Sequence, residues 1–206
     1  MREYRDIGVL SRIAVIAVSI SLVTELAYGL LSLQLFRSLD TGIDLRLARV
    51  ADIAAVVNLV ALFACIIVVG RWIYRASVNA HAVSSEMTIS PGWAVGWYFV
   101  PIANLFKPYQ AMREIWMASH FRGNWHDEPT PQLLVGWWAL WIVTNILGNI
   151  SFRLSMRDDS ADMFAMTSMI DVVQSVLNVP LCLILIAIMR RIAAAQARAP
   201  YEETFA

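Results

Sequence analysis

Apolar residues along this chain gather into four unbroken runs and one broken run, separated by short polar stretches. The unbroken runs cover about residues 13–36, 50–70, 133–152 and 169–189, each close to the roughly twenty residues a helix needs to cross hydrocarbon. They predict four transmembrane helices. The second run closes on Arg71, Trp72, Tyr74 and Arg75, the mixture expected where a helix leaves a bilayer, and its helix is expected to continue in water to about Val83. Residues 37–49 mix both charge signs and read as a connector. Pro180 is expected to kink the last span, and the tail after Ala193 is expected to fray.

The broken run extends from Ser90 to His120. Pro101 and Pro108 each remove a backbone donor and push the preceding residue away from helical angles, so one straight helix is excluded. Ser90 followed by Pro91 reads as an N-cap with proline at the first helical position. A helix over 91–100 is about 15 Å long, half the hydrocarbon thickness, so it enters the bilayer without crossing. A second helix starts at Lys107 and Pro108, with Tyr109, Met112, Ile115 and Trp116 on one face and Lys107, Gln110, Arg113 and Glu114 largely opposite. Such a helix suits the headgroup plane. The expected architecture is an all-α integral membrane protein in one domain, residues 1–206. It has four transmembrane helices plus a re-entrant half-helix and an interfacial amphipathic helix over about 91–120.

Charge placement then selects a topology. With a cytoplasmic N-terminus and a re-entrant 91–106, eleven Lys and Arg residues lie inside and five outside. A full crossing by that segment reverses the balance to seven against nine. The excess of basic residues on cytoplasmic loops therefore favours the re-entrant topology, with both termini in the cytoplasm of a bacterial inner-membrane protein. All eight tryptophans fall on or near that cytoplasmic side, as an aromatic belt requires. The basic N-terminus precedes an apolar run too long for a signal peptide, so the first run is expected to be retained.

Composition confirms the class and narrows the chemistry. Hydrophobic residues make up 59% of the chain and charged ones 16%, against roughly a quarter charged in soluble domains. The formal net charge of +0 leaves no basic face for nucleic acid. Cys65 and Cys182 sit in apolar runs and read as small buried hydrophobes. His120, His126, Asp127 and Glu128 match no rigid metal-ligand spacing, and no nucleophile-and-base pattern occurs, so neither a cofactor nor an enzymatic activity is expected. What remains is a candidate polar layer. Glu25, Asn58, Asn145 and Asn178 come from four different spans at similar depth, and Asn104 lies at the tip of the re-entrant segment. The layer serves either to join helices by hydrogen bonds or as a solute, ion or proton site.

The stretch SPGWAVGWYFVPIANLFKPYQAMREIW, residues 90–116, together with VGWWALW, residues 135–141, resembles the bacterial multi-pass membrane family called domain of unknown function 4328. Its motif positions include Pro91, Trp93, Trp97, Pro101, Pro108, Trp116, Trp137 and Trp138. The resemblance implies a multi-pass membrane protein and supplies no catalytic residue. The expected role is that of a non-enzymatic component that engages lipid, a membrane-protein partner or a second copy of itself. The alternative is a small-solute or ion transporter built around Glu25.

Overall fold

The computed structural model describes residues 4–38, 42, 44–121, 125, 127–157 and 160–204. Among them the regular structure is helical throughout: α1 (Gly8–Arg37), α2 (Leu45–Val83), α3 (Pro91–Gly96), α4 (Lys107–His120), α5 (Gln132–Ser155) and α6 (Ala161–Thr204). Four helices, α1, α2, α5 and α6, are long and apolar enough to cross a membrane. Two of them, α2 and α6, start on side-chain caps. Asp44 Oδ1 accepts the Arg46 amide at 2.8 Å ahead of α2, and Ser160 Oγ accepts the Met163 amide at 3.4 Å ahead of α6. Each cap satisfies one of the amides that a first turn leaves without an intrahelical acceptor. Along α2 the side chains of Ile53, Val56, Val60, Phe63 and Ile67 are exposed. An exposed apolar surface of that extent is compatible with a membrane-spanning helix.

The chain divides into two compact units. The first takes the residues up to Ala17, then Ile66–Trp138, then those from Ile184 onward. Its core is built on Trp72, which is fully buried and donates its indole N–H to Ser11 Oγ at 2.8 Å. Ala14, Ala76 and Ala80 are also fully buried, and such small residues let neighbouring backbones approach. Met112, Ile115 and Met117 of α4 and Ile188, Met189 and Ile192 of α6 fill the rest. Burial runs around all sides of α4 from Ala111 to Ala118, Arg113 alone being partly open, so protein surrounds this helix where the pattern suggested one apolar face.

Two further readings change. The tail after Ala193 is helical through Thr204, because Gln196 is 1% exposed and tied down: its Nε2 donates to Ala76 O at 3.0 Å and Ser119 Oγ at 2.9 Å, and its Oε1 accepts from Asn79 at 3.0 Å. Tyr4 donates to the Gln196 carbonyl, and the Asn79 side chain exchanges hydrogen bonds with the Arg5 backbone at 3.2 and 2.8 Å. Five of the eight tryptophans, Trp72, Trp116, Trp125, Trp137 and Trp138, are buried as core rather than displayed as a belt. Indoles in a polar-rimmed core behave this way when a partner meets the N–H, as Ser84 Oγ does for Trp125 at 3.2 Å.

The second unit comprises Val18–Cys65 and Ala139–Leu183. It holds the middle and far parts of α1, the first part of α2, most of α5 and the first half of α6. Gly29 and Ser175 bring α1 and α6 into backbone contact range, since a Cβ built on Gly29 meets Ser175 Cβ at 2.6 Å.

Candidate functional site

In the second unit, polar residues recur at helical spacing on faces that are otherwise apolar: Ser21, Thr24, Glu25, Tyr28 and Ser32 on α1, and Ser168, Asp171, Ser175 and Asn178 on α6. These stripes meet. Glu25 Oε2 accepts from Asn58 Nδ2 at 2.7 Å and Oε1 accepts from Asn178 Nδ2 at 3.1 Å, joining α1, α2 and α6. Thr24 donates toward Asn58 Oδ1 at 3.1 Å. Asp171 accepts the Tyr28 hydroxyl at 2.9 Å on Oδ2 and the Ser151 hydroxyl at 2.8 Å on Oδ1, which brings in α5. Ser175 Oγ links the two halves, lying 2.8 Å from the Asp171 carbonyl and 3.3 Å from that of Glu25.

Two carboxylates thus share one unit of four apolar helices, and the partners that hold them are amides and hydroxyls. Each neutral donor to a charged acceptor contributes more than an ordinary hydrogen bond, about 1.5–3 kcal/mol. Such an arrangement can fix the two carboxyl groups in place between helices, or exchange a proton or a cation.

The predicted layer is assembled in part. Glu25, Asn58 and Asn178 are bonded to one another. Asn145 is exposed and gives its amide to the Trp141 carbonyl of its own helix at 2.8 Å, so it does not join them. Asn104 belongs to the first unit. Asp171, a visible polar residue in the first half of the last span, lies outside the predicted layer and gathers Tyr28, Ser151 and Ser175 around it. The three-and-four spacing of Asp171, Ser175 and Asn178 marks the members on α6, and Tyr28 lies three residues after Glu25 on α1, whereas Ser151 on α5 carries no such signal.

In the first unit, the broken run forms a hairpin. Ser90 has the extended backbone of an N-cap and Pro91 opens α3, although the Ser90 side chain makes no cap bond. After α3 come two 3₁₀ turns, Trp97–Phe99 and Ala103–Leu105, which pack on each other, while α3 packs on α4. The reversal passes through Ile102, a β-branched residue at φ 66°, a backbone state costing about 1–3 kcal/mol. Trp138 steadies the returning arm by donating to Leu105 O at 3.0 Å, and Trp93 and Trp97 stack at 4.4 Å. Phe99 and Ile102 at the tip are 70% and 76% exposed, and Trp93, Leu105 and Phe106 are also open, whereas Pro91 and Ala94 at the root and Pro108 in α4 are buried.

Glu114 anchors the root. Its Oε2 accepts the amides of Thr88 and Ile89, each at 3.0 Å, and its Oε1 accepts the Thr88 hydroxyl. At the end of α4, His120 stacks on Trp116 at 4.2 Å and its Nδ1 meets the Trp116 carbonyl at 2.9 Å. Partial burial, with Arg191 adding to it, lowers the His120 pKa below its ordinary value despite that carbonyl. The fold thus favours neutral imidazole. Its contribution is whole above the unfolded value near 6.5 and is lost as pH falls from there through the folded value. Thermal melts are therefore expected to show a larger drop below neutral pH for the native chain than for His120→Gln. Equal drops would count against this assignment. His126, the other histidine of this region, lies outside the described residues.

The sequence model of a family described as Domain of unknown function (DUF4328) matches residues 43–194. No curated protein and no solved structure matches the chain.

Proposed function

The chain belongs to the family described as Domain of unknown function (DUF4328), and from that premise we propose a non-enzymatic, multi-pass protein of the bacterial inner membrane whose hairpin engages lipid. Both termini lie in the cytoplasm in this reading, and the hairpin of 91–106 enters the cytoplasmic leaflet tip first. One observation carries it: the hairpin is rooted in protein through Pro91, Ala94 and Glu114 while its tip presents Phe99 and Ile102 outward. Apolar side chains held out on a strained turn gain free energy only if hydrocarbon or another protein covers them. The basic-residue count supports the orientation.

Nitroxide labels at Phe99→Cys and Ile102→Cys, in protein reconstituted into lipid, are expected to collide with oxygen more than with a water-soluble nickel chelate. Preference for the chelate rejects insertion, and shielding from both assigns the tip to a membrane-protein partner or a second copy. Cysteines at the exposed Ser90 and Gln110 are expected to react with an impermeant maleimide from the cytoplasmic side alone. Reaction from opposite sides rejects the four-span topology.

A second reading, transport of a small solute or ion through the second unit, draws on the pairing of Glu25 and Asp171 with neutral donors. Glu25→Gln abolishing flux of a solute in proteoliposomes, with the fold intact, is the result that reading requires.

A further inference from the structure

Thr24 has one hydroxyl hydrogen and two acceptors in reach of it: the Ser21 carbonyl at 2.9 Å and Asn58 Oδ1 at 3.1 Å. Asn58 in turn faces Thr24 with its oxygen and Glu25 with its nitrogen, at 3.1 and 2.7 Å. A carboxamide turned by half a rotation exchanges donor and acceptor with almost no change of shape. The group therefore has two complete hydrogen-bond assignments that differ by one proton. We propose that Glu25, Asn58 and Thr24 form a proton-binding site within the second unit.

In the first assignment Glu25 is anionic. It accepts from Asn58 and Asn178, and the Thr24 hydroxyl points to Asn58 Oδ1. In the second, a hydronium ion from the aqueous phase gives its proton to Glu25 Oε2 and leaves as water. The new O–H donates to the turned Asn58 Oδ1, Asn58 Nδ2 donates to Thr24 Oγ1, and the Thr24 hydrogen swings to the Ser21 carbonyl. Asn178 keeps its bond to Oε1 in both. No covalent bond other than that of the arriving proton is made or broken, and the site passes from one negative charge to none.

In both states every contact among Glu25, Asn58, Thr24 and Asn178 pairs a donor with an acceptor, and that is what separates this site from a purely structural hydrogen bond. A buried polar group left unpaired costs about 1–3 kcal/mol, so a network with only one complete assignment resists titration. The titratable groups beside Glu25 are Tyr28 on α1 and Cys182 on α6; behind them stand Asp171, bonded to Tyr28, and Cys65 on α2, beside Cys182, and none of the four is cationic. On α5 the titratable side chain within this unit, Arg153, is exposed. Neutralising Glu25 therefore breaks no ion pair among these groups. The inference is independent of the hairpin's lipid contact and holds whether or not a solute moves.

The test uses the full chain in lipid nanodiscs, with infrared difference spectra between alkaline and mildly acidic buffer, and nitrogen NMR of the Asn58 side-chain amide over the same range. A protonated-carboxyl band is expected to grow in step with a change at Asn58, and both are expected to vanish in Glu25→Gln. Thr24→Val, which keeps the carboxyl, is expected to lose the Asn58 response, since the turned amide has no hydroxyl oxygen to meet. If Glu25→Gln does not fold, carbon-13 labelling of glutamate in the native chain decides. A shifted band that follows the Asn58 response supports the site, and an unshifted band assigns the proton to an aspartate and overturns it. A band that persists in Glu25→Gln, an Asn58 amide indifferent to pH, or a response to sodium in place of protons overturns it equally.

Discussion

Glu114→Leu is expected to destabilise the first unit by about 2–4 kcal/mol and to free the hairpin root. The magnitude follows from what the carboxylate holds. It accepts two consecutive backbone amides, Thr88 and Ile89, each at 3.0 Å, and the Thr88 hydroxyl. Leucine keeps the volume but accepts nothing. The Ile89 amide belongs to a buried residue, so its partner is not replaced by water, and the full penalty of an unpaired buried donor applies there. Thr88 is exposed and recovers part of its loss from solvent. Glu114→Gln, which retains one acceptor oxygen, is expected to lose about half as much. Hydrogen exchange at Thr88 and Ile89 separates this account from a general packing defect: their protection is expected to fall before that of α4 as a whole. Unchanged exchange at both, with a lowered melting temperature, would point to packing around Ala111 and Ile115 instead.

That anchor also marks where reading the sequence stops. The four long helices were legible because a run of twenty apolar residues has few alternatives to spanning a bilayer, and the two prolines made the break at 101 and 108 equally plain. What surrounds α4 was not legible. Its sequence alternates Tyr109, Met112, Ile115 and Trp116 with Gln110, Arg113 and Glu114, which reads as a one-sided helix. Yet Glu114 is 8% exposed because two amides from a distant loop come to it. Periodicity reports a residue's own polarity and says nothing of donors brought from elsewhere in the chain. The same limit applied in the second unit. Glu25, Asn58 and Asn178 stood out as single polar residues in apolar runs, whereas Tyr28, Ser151 and Ser175 are ordinary in composition and acquire meaning through Asp171 and the Glu25 carbonyl. Asn145 looked identical to Asn58 in the sequence. Its amide folds back on its own helix, an option open to any asparagine four residues after a free carbonyl lone pair.

Gly29→Val is expected to have the other large effect, preventing α1 and α6 from closing in the second unit. A Cβ at position 29 lies 2.2 Å from Ser175 Oγ and 2.6 Å from Ser175 Cβ. The hydroxyl can rotate away, but the Cβ is fixed to the α6 backbone, so relief requires a movement of the helices themselves. Even Gly29→Ala is expected to cost about 1–3 kcal/mol, the range for overpacking a close contact, and valine more. The cost is not confined to the contact. Separating the helices lengthens Tyr28 to Asp171, now 2.9 Å, and Asn178 to Glu25, now 3.1 Å, and so weakens both carboxylate clusters together. Ser175→Gly removes the obstructing atoms, at about 1 kcal/mol for glycine inside a helix plus its own lost hydroxyl bonds. In the Gly29→Ala background that substitution is expected to restore the melting temperature in detergent, making the pair less damaging than the sum of the singles. A sum that is simply additive would mean that Gly29 is needed for something other than the approach of α6, and the close packing of these two helices would then not be what positions Glu25 beside Asn178.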